Sequence, residues 1–397
     1  MPSSDRLRPR LRGRLVGGTE LASGQGRLRR SLRITGGLAL CLSAAIALAA
    51  CGNASPSASG VPASGTATGA DGATGSASGA GSPGPASGGR PAGASMGSGD
   101  TSAANASAGT TPGANARVTA TLLSMHLPSP LSRAVVAASG AEVLVLGGVT
   151  PSGTTATILQ LNPATGSVTR IGRLASAVHD ASGAPLGHLW LVVGGGRTLA
   201  SAVVQDVSVV GASASASVAG ALPAPRADGA AVAVGGEVLV VGGGRGGVPD
   251  PNVLATRDGV SFTSLARLPL AVRYPAVAAA GSRVYLFGGA TTGAPSNAIQ
   301  AIDATTGDVR VVARLPYALT QATAFILGGR ILIAGGMRAG RPSTAILAFD
   351  PATGRTAVVG RLPEGVEDAG VAVVGDTAYL VGGETGSAFL DTVIAVR

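Results

Sequence analysis

Ionisable and hydrogen-bonding side chains recur at two adjacent positions of a repeated pattern. Counted from a leucine that recurs six times, the sixth residue is polar in every copy, and the seventh is small or proline. The sixth-position residues are Arg133, Asp180, Asp228, Tyr274, Gln321 and Asp368, and those at the fifth position are Ser132, His179, Ala227, Arg273, Thr320 and Glu367. Arginines beside carboxylates can bind a glycan or an acidic peptide through paired hydrogen bonds.

The same residues allow a catalytic interpretation. The pairs His179-Asp180 and Glu367-Asp368 could in principle perform acid–base chemistry on a sugar. Alternatively, a histidine beside an aspartate forms a surface ion pair, and polar side chains around a wet channel are simply solvated. We assign no catalytic residue and expect neither cofactor nor metal. The ligand-binding candidates are Arg133, His179, Asp180, Arg226, Asp228, Arg273, Tyr274, Gln321, Glu367 and Asp368.

The elements that position these residues are repeats of 46 to 48 residues. Each repeat has a leucine, a glycine thirteen residues later and a diglycine beginning twenty residues after the leucine. The leucines are Leu127, Leu174, Leu222, Leu268, Leu315 and Leu362, the glycines are Gly140, Gly187, Gly235, Gly281, Gly328 and Gly375, and the diglycines begin at Gly147, Gly194, Gly242, Gly288, Gly335 and Gly382. A fixed period of this length indicates a solenoid, a propeller or an array.

Four short apolar strands per repeat favour the propeller. In the fifth repeat we predict strands at 320–327, 330–334, 344–349 and 356–359, with a turn at the glycine that follows the first strand. An Asx-Pro-Ala-Thr-Gly turn at 350–354 should join the third strand to the fourth. The sixth repeat ends before its fourth strand, so we expect residues 118–122 to supply it and to close a six-bladed ring.

The diglycine, the Asp-Pro-x-Thr-Gly-like hairpin and the Leu-Pro before each unit resemble the kelch repeat. The resemblance covers residues 117–397 and implies an all-β, six-bladed kelch-like β-propeller with its binding surface at one mouth of the channel. The second-to-third strand loops would add Arg197, Arg245, Asp250, Arg338, Arg341 and Glu384 to that mouth. The Tyr and Trp that usually follow the kelch diglycine are mostly absent, which predicts an alanine-rich core. Kelch-type enzymes include a copper radical oxidase, which needs a Tyr-Cys crosslink, and a sialic acid mutarotase.

Composition excludes several kinds of site. The sequence contains 29 Arg and no Lys, and the absence of Lys excludes a P-loop and Schiff-base chemistry. Cys41 and Cys51 are the two cysteines, so residues 117–397 can hold neither a disulfide nor a thiol nucleophile, and the oxidase activity is excluded. The formal net charge is +9, but residues 1–50 alone carry nine Arg against Asp5 and Glu20. Nucleic acid is therefore not an expected partner.

Residues 1–50 have the organisation of an export signal. Arginines precede an apolar run at 34–50, and Leu48-Ala49-Ala50-Cys51 resembles the lipobox of bacterial lipoproteins, which implies acylation of Cys51. An uncleaved signal anchor is the alternative. Residues 51–116 comprise the acylated Cys and an Ala/Ser/Gly/Pro linker with too little apolar surface to fold, so we predict disorder there.

These features predict a lipoprotein anchored by lipid at the extracytoplasmic face of the bacterial cell membrane. Its propeller would present a binding site for an envelope protein or a glycan. The alternatives are a carbohydrate-active enzyme of the epimerase or mutarotase type, which would use the same mouth, and a purely structural envelope protein. A fold of this kind does not by itself choose among them.

Overall fold

The computed structural model describes residues 116–386 and 388–397, which are built from β-strands and turns. The predicted signal segment, Cys51 and nearly all of the predicted linker lie outside these residues. Within the described part of the chain, no helix is long and apolar enough to cross a membrane. The architecture is all-β and propeller-like, as the repeat pattern predicts.

Thirty strands follow one another along the described chain. The first ten are β1 (Ala120–His126), β2 (Val135–Ser139), β3 (Glu142–Leu146), β4 (Val149–Thr150), β5 (Gly153–Thr154), β6 (Thr157–Asn162), β7 (Ser167–Arg173), β8 (His179–Leu186), β9 (Leu189–Gly196) and β10 (Val203–Val210). The next ten are β11 (Ser213–Ala221), β12 (Ala227–Val234), β13 (Glu237–Arg245), β14 (Val248–Pro249), β15 (Asn252–Thr256), β16 (Thr263–Arg267), β17 (Ala276–Ala280), β18 (Arg283–Phe287), β19 (Ala298–Asp303) and β20 (Val309–Arg314). The last ten are β21 (Thr320–Leu327), β22 (Arg330–Arg338), β23 (Arg341–Pro342), β24 (Ala345–Asp350), β25 (Arg355–Arg361), β26 (Gly370–Val374), β27 (Thr377–Val381), β28 (Glu384–Thr385), β29 (Ala388–Phe389) and β30 (Thr392–Val396).

The strands form antiparallel sheets that follow the sequence repeats. Four sheets run β12-β13-β15-β16, β17-β18-β19-β20, β21-β22-β24-β25 and β1-β30-β27-β26. An eight-stranded sheet runs β2-β3-β6-β7-β11-β10-β9-β8. Its two halves meet through one parallel bridge, between Gly172 of β7 and Ala214 of β11. The short pairs β4-β5 and β28-β29 form separate hairpins, while β14 and β23 extend β13 and β22.

The two ends of the described chain share one sheet, as the truncated sixth repeat predicts. Strand β1 pairs antiparallel with β30, with Ala120 opposite Val396 and Leu122 opposite Ile394. Thr119 and Arg397 exchange both of their backbone hydrogen bonds, at 2.9 and 3.0 Å. The N–H of Val118 donates to the carbonyl of Val359 at 3.0 Å, so the N-terminal segment also contacts the preceding sheet.

The predicted local structure of the fifth repeat is confirmed. Strand β21 spans the predicted residues, while β22 and β25 extend beyond their predicted ends. The six glycines expected at the first turn all have φ between +56 and +61°, a region that glycine enters without a steric penalty. At the third turn, Asp350 Oδ1 accepts a hydrogen bond from the N–H of Ala352 at 2.9 Å.

Apolar clusters fill the spaces between neighbouring sheets or half-sheets. The six repeated leucines lie in these clusters and are between 2 and 5% exposed. Val, Leu, Ile and Ala predominate, as the composition predicts. The aromatic residues concentrate in one cluster, where the ring of Phe349 lies 5.5 Å from that of Tyr285 and 5.4 Å from that of Phe287. Another cluster joins β21–β25 to the sheet that holds both termini.

The diglycines connect each repeat to the next. The N–H of the second glycine donates to a carbonyl four residues after the next leucine, at 2.7 to 2.9 Å. The donors are Gly148, Gly195, Gly243, Gly289, Gly336 and Gly383, and the respective acceptors are Val178, Arg226, Val272, Leu319, Val366 and Leu131. Because the last diglycine bonds to Leu131 of the first repeat, the series of contacts returns to its start.

A side chain at the first glycine of a diglycine should weaken this connection. At Gly242, where φ is +62°, a Cβ would lie 2.8 Å from the carbonyl oxygen of Val272. At the turn residue Gly235, φ is +60° and no atom of the described part of the chain lies within 4 Å of an added Cβ. We expect both Gly242→Ala and Gly235→Ala to carry a backbone cost of about 1 kcal/mol, and Gly242→Ala to lose a further 1–3 kcal/mol or so through overpacking. Urea denaturation would measure the loss of stability in both variants. Equal losses would show that a Cβ at position 242 fits beside the carbonyl oxygen of Val272.

Candidate functional site

The six residues at the sixth position of the repeats line one cavity of about 150 Å³. They are Arg133, Asp180, Asp228, Tyr274, Gln321 and Asp368, one from each repeat, and we call this the ring cavity. The sequence pattern therefore identified a set of side chains that the fold brings together.

These residues share an unusual backbone conformation. Their φ angles lie between +52 and +61°, in the left-handed region that side chains other than glycine seldom adopt. Within the described residues, Ala339 is the other non-glycine residue with positive φ. Each such residue costs about 1–2 kcal/mol, and strain of this kind concentrates at binding and catalytic sites.

Backbone hydrogen bonds link neighbouring residues around the ring cavity. The amide of each donor bonds to the carbonyl of the ring residue one repeat earlier, at 2.7 to 3.2 Å. The pairs, with the donor of the N–H first, are Asp180 to Arg133, Tyr274 to Asp228, Gln321 to Tyr274, Asp368 to Gln321 and Arg133 to Asp368. The last of these joins the first repeat to the sixth. The left-handed conformation thus coincides with a ring of inter-repeat hydrogen bonds.

One side of the cavity holds an ion pair backed by a tyrosine. Arg273 Nε and Nη2 donate to Asp228 Oδ2 at 2.8 and 2.5 Å, and Nη2 also lies 2.6 Å from the hydroxyl of Tyr274. The guanidinium carbon lies 4.7 Å from the centroid of the Tyr274 ring. The pKa of Tyr274 is raised to about 12, first by burial and then by the charge of Asp228. Arg273 is therefore held in place before any ligand arrives.

On the other side, several carboxylates share one arginine. Arg133 Nε donates to Glu384 Oε1 at 3.0 Å and lies 3.5 Å from Asp368 Oδ2, while Nη1 lies 3.7 Å from Asp180 Oδ2. Ser132 Oγ donates to the same oxygen of Glu384 at 2.9 Å. Gln321 Nε2 donates to Asp368 Oδ2 at 2.8 Å. A single cation thus serves three carboxyl groups.

His179 lies at the edge of this cluster and is half-buried. Its Nε2 lies 3.4 Å from Asp180 Oδ2, and its Nδ1 forms a 2.8 Å hydrogen bond with Thr154 Oγ1. Burial and the nearby charge of Arg133 lower its pKa, which favours the neutral ring. The predicted His–Asp contact is present, but it is more buried than a surface ion pair. A second cavity of about 240 Å³, lined by His179, Arg197, Arg273 and others, shares Asp180, Asp228 and Tyr274 with the ring cavity.

Three carboxyl groups of the site have raised pKa values. Burial, followed by the charge of Asp228, raises the pKa of Asp180 to about 7. Burial also raises the pKa of Asp368 to about 7, although Gln321 and Arg133 oppose the shift. The pKa of Glu367 rises to about 7 through burial and the charges of Asp368 and Glu384. Near neutral pH the site can therefore donate as well as accept hydrogen bonds.

These raised pKa values predict a dependence of stability on pH. A carboxyl whose pKa is higher in the folded than in the unfolded protein binds more protons when folded, so stability is greatest at low pH and falls as the pH rises through about 7. We expect the melting temperature to fall between pH 5 and pH 8, since each tenfold difference in proton affinity between the folded and unfolded states is worth about 1.4 kcal/mol. The slope should flatten in Asp180→Asn/Asp368→Asn. A melting temperature that rises over this range would contradict the assigned direction.

The other predicted residues are placed as follows. Glu367 is 3% exposed, and its Oε2 has no hydrogen-bond partner among the described residues. Of the predicted loop residues, Glu384 joins the Arg133 cluster, while Arg338 stacks on the ring of Tyr317 at 4.0 Å. The described residues contain no group of three or more His, Cys, Asp or Glu placed to hold a metal ion.

Arg226, a predicted ligand-binding residue, does not line the ring cavity. Arg226 is 4% exposed and occupies the buried position that is apolar in the other repeats. Its Nη1 donates to the carbonyl of Asn252 at 2.9 Å, and its Nη2 contacts Asp250 Oδ2 at 2.5 Å. Asp250, one of the predicted loop residues, therefore forms an ion pair with Arg226. This arginine stabilises the third repeat from within and does not line the ring cavity.

Sequence reasoning missed two features of the site. The left-handed backbone at the sixth position went unnoticed because the residue types there are varied and glycine, the usual marker of positive φ, does not occur. The contact of Thr154 with His179 was also missed, since the two residues belong to different repeats. The constant polarity of the sixth position, followed by a small residue or proline, was the available signal.

Comparison with known proteins supports the fold. No family model matches the chain, and no curated protein matches it. A solved structure described as "Structure of YjhT" superposes with a TM-score of 0.59 over 68% of this chain and 99% of the other, at 16% sequence identity. Likeness at this identity shows a propeller-like fold and carries no statement about activity.

Proposed function

We propose that the chain is a six-bladed kelch-like propeller that binds a small polar ligand, such as a glycan or part of an envelope protein, in the ring cavity. The six-blade count treats the eight-stranded sheet as two blades, because one residue pair joins its halves. Six ring residues, six diglycine bonds and the shared terminal sheet support this count.

The observation that carries the binding proposal is the conformation of the ring residues. Six non-glycine residues with positive φ converge on one cavity, and their side chains are polar in every case. A purely structural ring could use glycine at these positions with less strain. Retaining polar side chains there is typical of a site that contacts a ligand.

The test is a glycan array together with a pull-down from envelope extracts, using the full chain in detergent. The variants Asp228→Ala, Arg273→Ala and Asp368→Ala should lose the interaction. Asp376→Ala is the matched control, because Asp376 is an exposed turn residue away from the cavity. Binding that survives all three cavity variants would place the site elsewhere, and the absence of any ligand would favour a structural role.

Anchoring at the extracytoplasmic face of the cell membrane belongs to the same proposal. It rests on the arginine-rich start, the apolar run and Cys51, all outside the described residues. Two or more acyl chains, at about 0.8 kcal/mol per buried CH₂, would hold the protein stably. Cys51→Ser should abolish labelling by a fatty-acid probe and release the protein from the membrane fraction. A labelled, membrane-bound Cys51→Ser protein would disprove the anchor.

A sugar-modifying enzyme is the second candidate. The observation in its favour is that Asp180, Glu367 and Asp368 each have a pKa of about 7, which suits general acid–base catalysis near neutral pH. Chemical change of a bound sugar, lost in Asp180→Asn with binding retained, would support this candidate. Binding without turnover would favour the binding module.

A further inference from the structure

Arg133, which lines the ring cavity, and Arg273, which lines the adjoining cavity, are already paired with carboxylates. Arg273 donates twice to Asp228, and Arg133 donates to Glu384 while lying within 4 Å of Asp180 and Asp368. An anionic ligand that approached either guanidinium would lie beside an internal carboxylate of the same sign, which weakens binding. Displacing that carboxylate would leave a poorly solvated charge without its partner, which is costly.

Carboxyl groups outnumber cations at this site. Asp180, Asp228 and Asp368 line the ring cavity, Glu384 contacts Arg133 beside it, and Glu367 interacts electrostatically with Asp368 and Glu384. The nearby cations are Arg133, which lines the cavity, and Arg273, which is bonded to Asp228. His179 also faces Asp180, but its lowered pKa favours the neutral ring. Pairing each guanidinium with one carboxylate leaves three carboxyl groups without a cation of their own.

Glu367 gives an independent indication of a missing partner. The residue is 3% exposed, yet Oε2 has no donor among the described residues. A buried acceptor without a donor costs about 1–3 kcal/mol, so such a group in a native protein calls for a partner, which can be a water, an ion or a group of a ligand. Its neighbours Asp368 and Glu384 are also acidic, so the charge around it disfavours an anion.

We propose that the ligand of the ring cavity carries a positive charge, in the form of a protonated amine. This inference rests on the proposed binding function and narrows it, because acidic peptides and acidic sugars become disfavoured ligands. The ammonium group would donate to the carboxyl oxygens that the two arginines leave free. Gln321, Tyr274 and the same carboxyls would bind hydroxyl groups of the ligand.

Binding of a cation should be linked to loss of protons. The groups that face Asp180 are Asp228, Arg133, Arg273, Glu384 and His179. The groups that face Asp368 are Gln321, Arg133, Asp180 and Glu384. Since burial keeps these carboxyls partly protonated at pH 7, a bound ammonium would ionise them. Affinity should then rise with pH, by about tenfold between pH 6 and pH 8 for each carboxyl that loses its proton on binding.

Three exposed arginines do not reverse this expectation. Arg197 lies on a loop, Arg245 ends β13 and Arg341 begins β23, and all three residues are exposed. Salt at 0.15 M screens such charges beyond about 8 Å. They could delay the approach of a cation, an effect that added salt would relieve.

The experiment compares three open-chain polyols of one length: glucamine, sorbitol and gluconate, which are cationic, neutral and anionic. Each is added at about 10 mM, a concentration suited to a weak sugar affinity, to the full chain in detergent at equal ionic strength. Melting temperature and calorimetric affinity are measured at pH 6, 7 and 8. We expect glucamine to stabilise the protein most, with an affinity that rises about tenfold or more from pH 6 to pH 8.

Asp368→Asn and Glu367→Gln should each reduce the affinity for glucamine by about tenfold, whereas Asp376→Asn should leave it unchanged. Both carboxyl variants are measured, because either of them could lose affinity simply by failing to fold. Tighter binding of gluconate, lost in Asp228→Ala, would overturn the charge inference while the proposed binding site stands. No stabilisation by glucamine, or an affinity that falls with pH, would also overturn the inference.

Discussion

Deletion of residues 117–124 should destabilise the protein by about 5 kcal/mol. The deletion removes most of β1 together with Val118, which is 9% exposed and packs in the cluster between the terminal sheet and β21–β25. Three backbone hydrogen bonds of Val118, Thr119 and Arg397 are lost, at about 1 kcal/mol each. Burial of one apolar side chain adds about 1.5–3 kcal/mol. Strand β30 would then present an unpaired edge, which also favours aggregation.

The measurement is urea denaturation of the full chain with and without these residues. Deletion of 101–108, an equal length of the predicted linker, is the matched control and should leave the transition unchanged. If the two deletions unfolded at the same urea concentration, closure through the N-terminal strand would not contribute to stability. Retention of a cooperative transition at a lower midpoint would fit strand exchange.

Arg133→Ala should cost about 3 kcal/mol at pH 8 and much less at pH 5. The substitution removes the cation that lies within 4.0 Å of Glu384, Asp368 and Asp180 and leaves their charges without that partner. Loss of one member of a buried ion pair costs about 3–5 kcal/mol, and we take the lower value because the Arg133 side chain is 32% exposed. At pH 5 the carboxyls with raised pKa are protonated and need no counter-ion.

Two control variants separate charge from packing. Arg133→Lys keeps the charge but lacks the planar donor set, so we expect an intermediate loss. Arg170→Ala removes an exposed arginine of β7 and should change stability by less than about 0.5 kcal/mol. An equal loss for Arg133→Ala at pH 5 and pH 8 would mean that Arg133 acts through packing alone.

Repeat boundaries, strand type and the pairing of the two termini could all be predicted from the amino-acid sequence. These follow from local chemistry: glycine is favoured where φ is positive, Asx begins the third turn, and a missing fourth strand must come from elsewhere in the chain. The constant polarity at the sixth position also identified the residues of the ring cavity. Each of these features depends on residues close together in the chain, or on their recurrence at a fixed period.

The packing of the sheets decides which polar residues face the cavity and which form ion pairs and hydrogen bonds inside the fold. Arg226 and Arg273 are both arginines near the start of an innermost strand, yet one binds a carbonyl and Asp250 in the interior while the other reaches Asp228. The sequence likewise did not reveal that several carboxylates share Arg133, or that an oxygen of Glu367 lacks a partner among the described residues. Ion pairing and burial depend on distances between different repeats, and these distances exist only once the sheets have packed against one another.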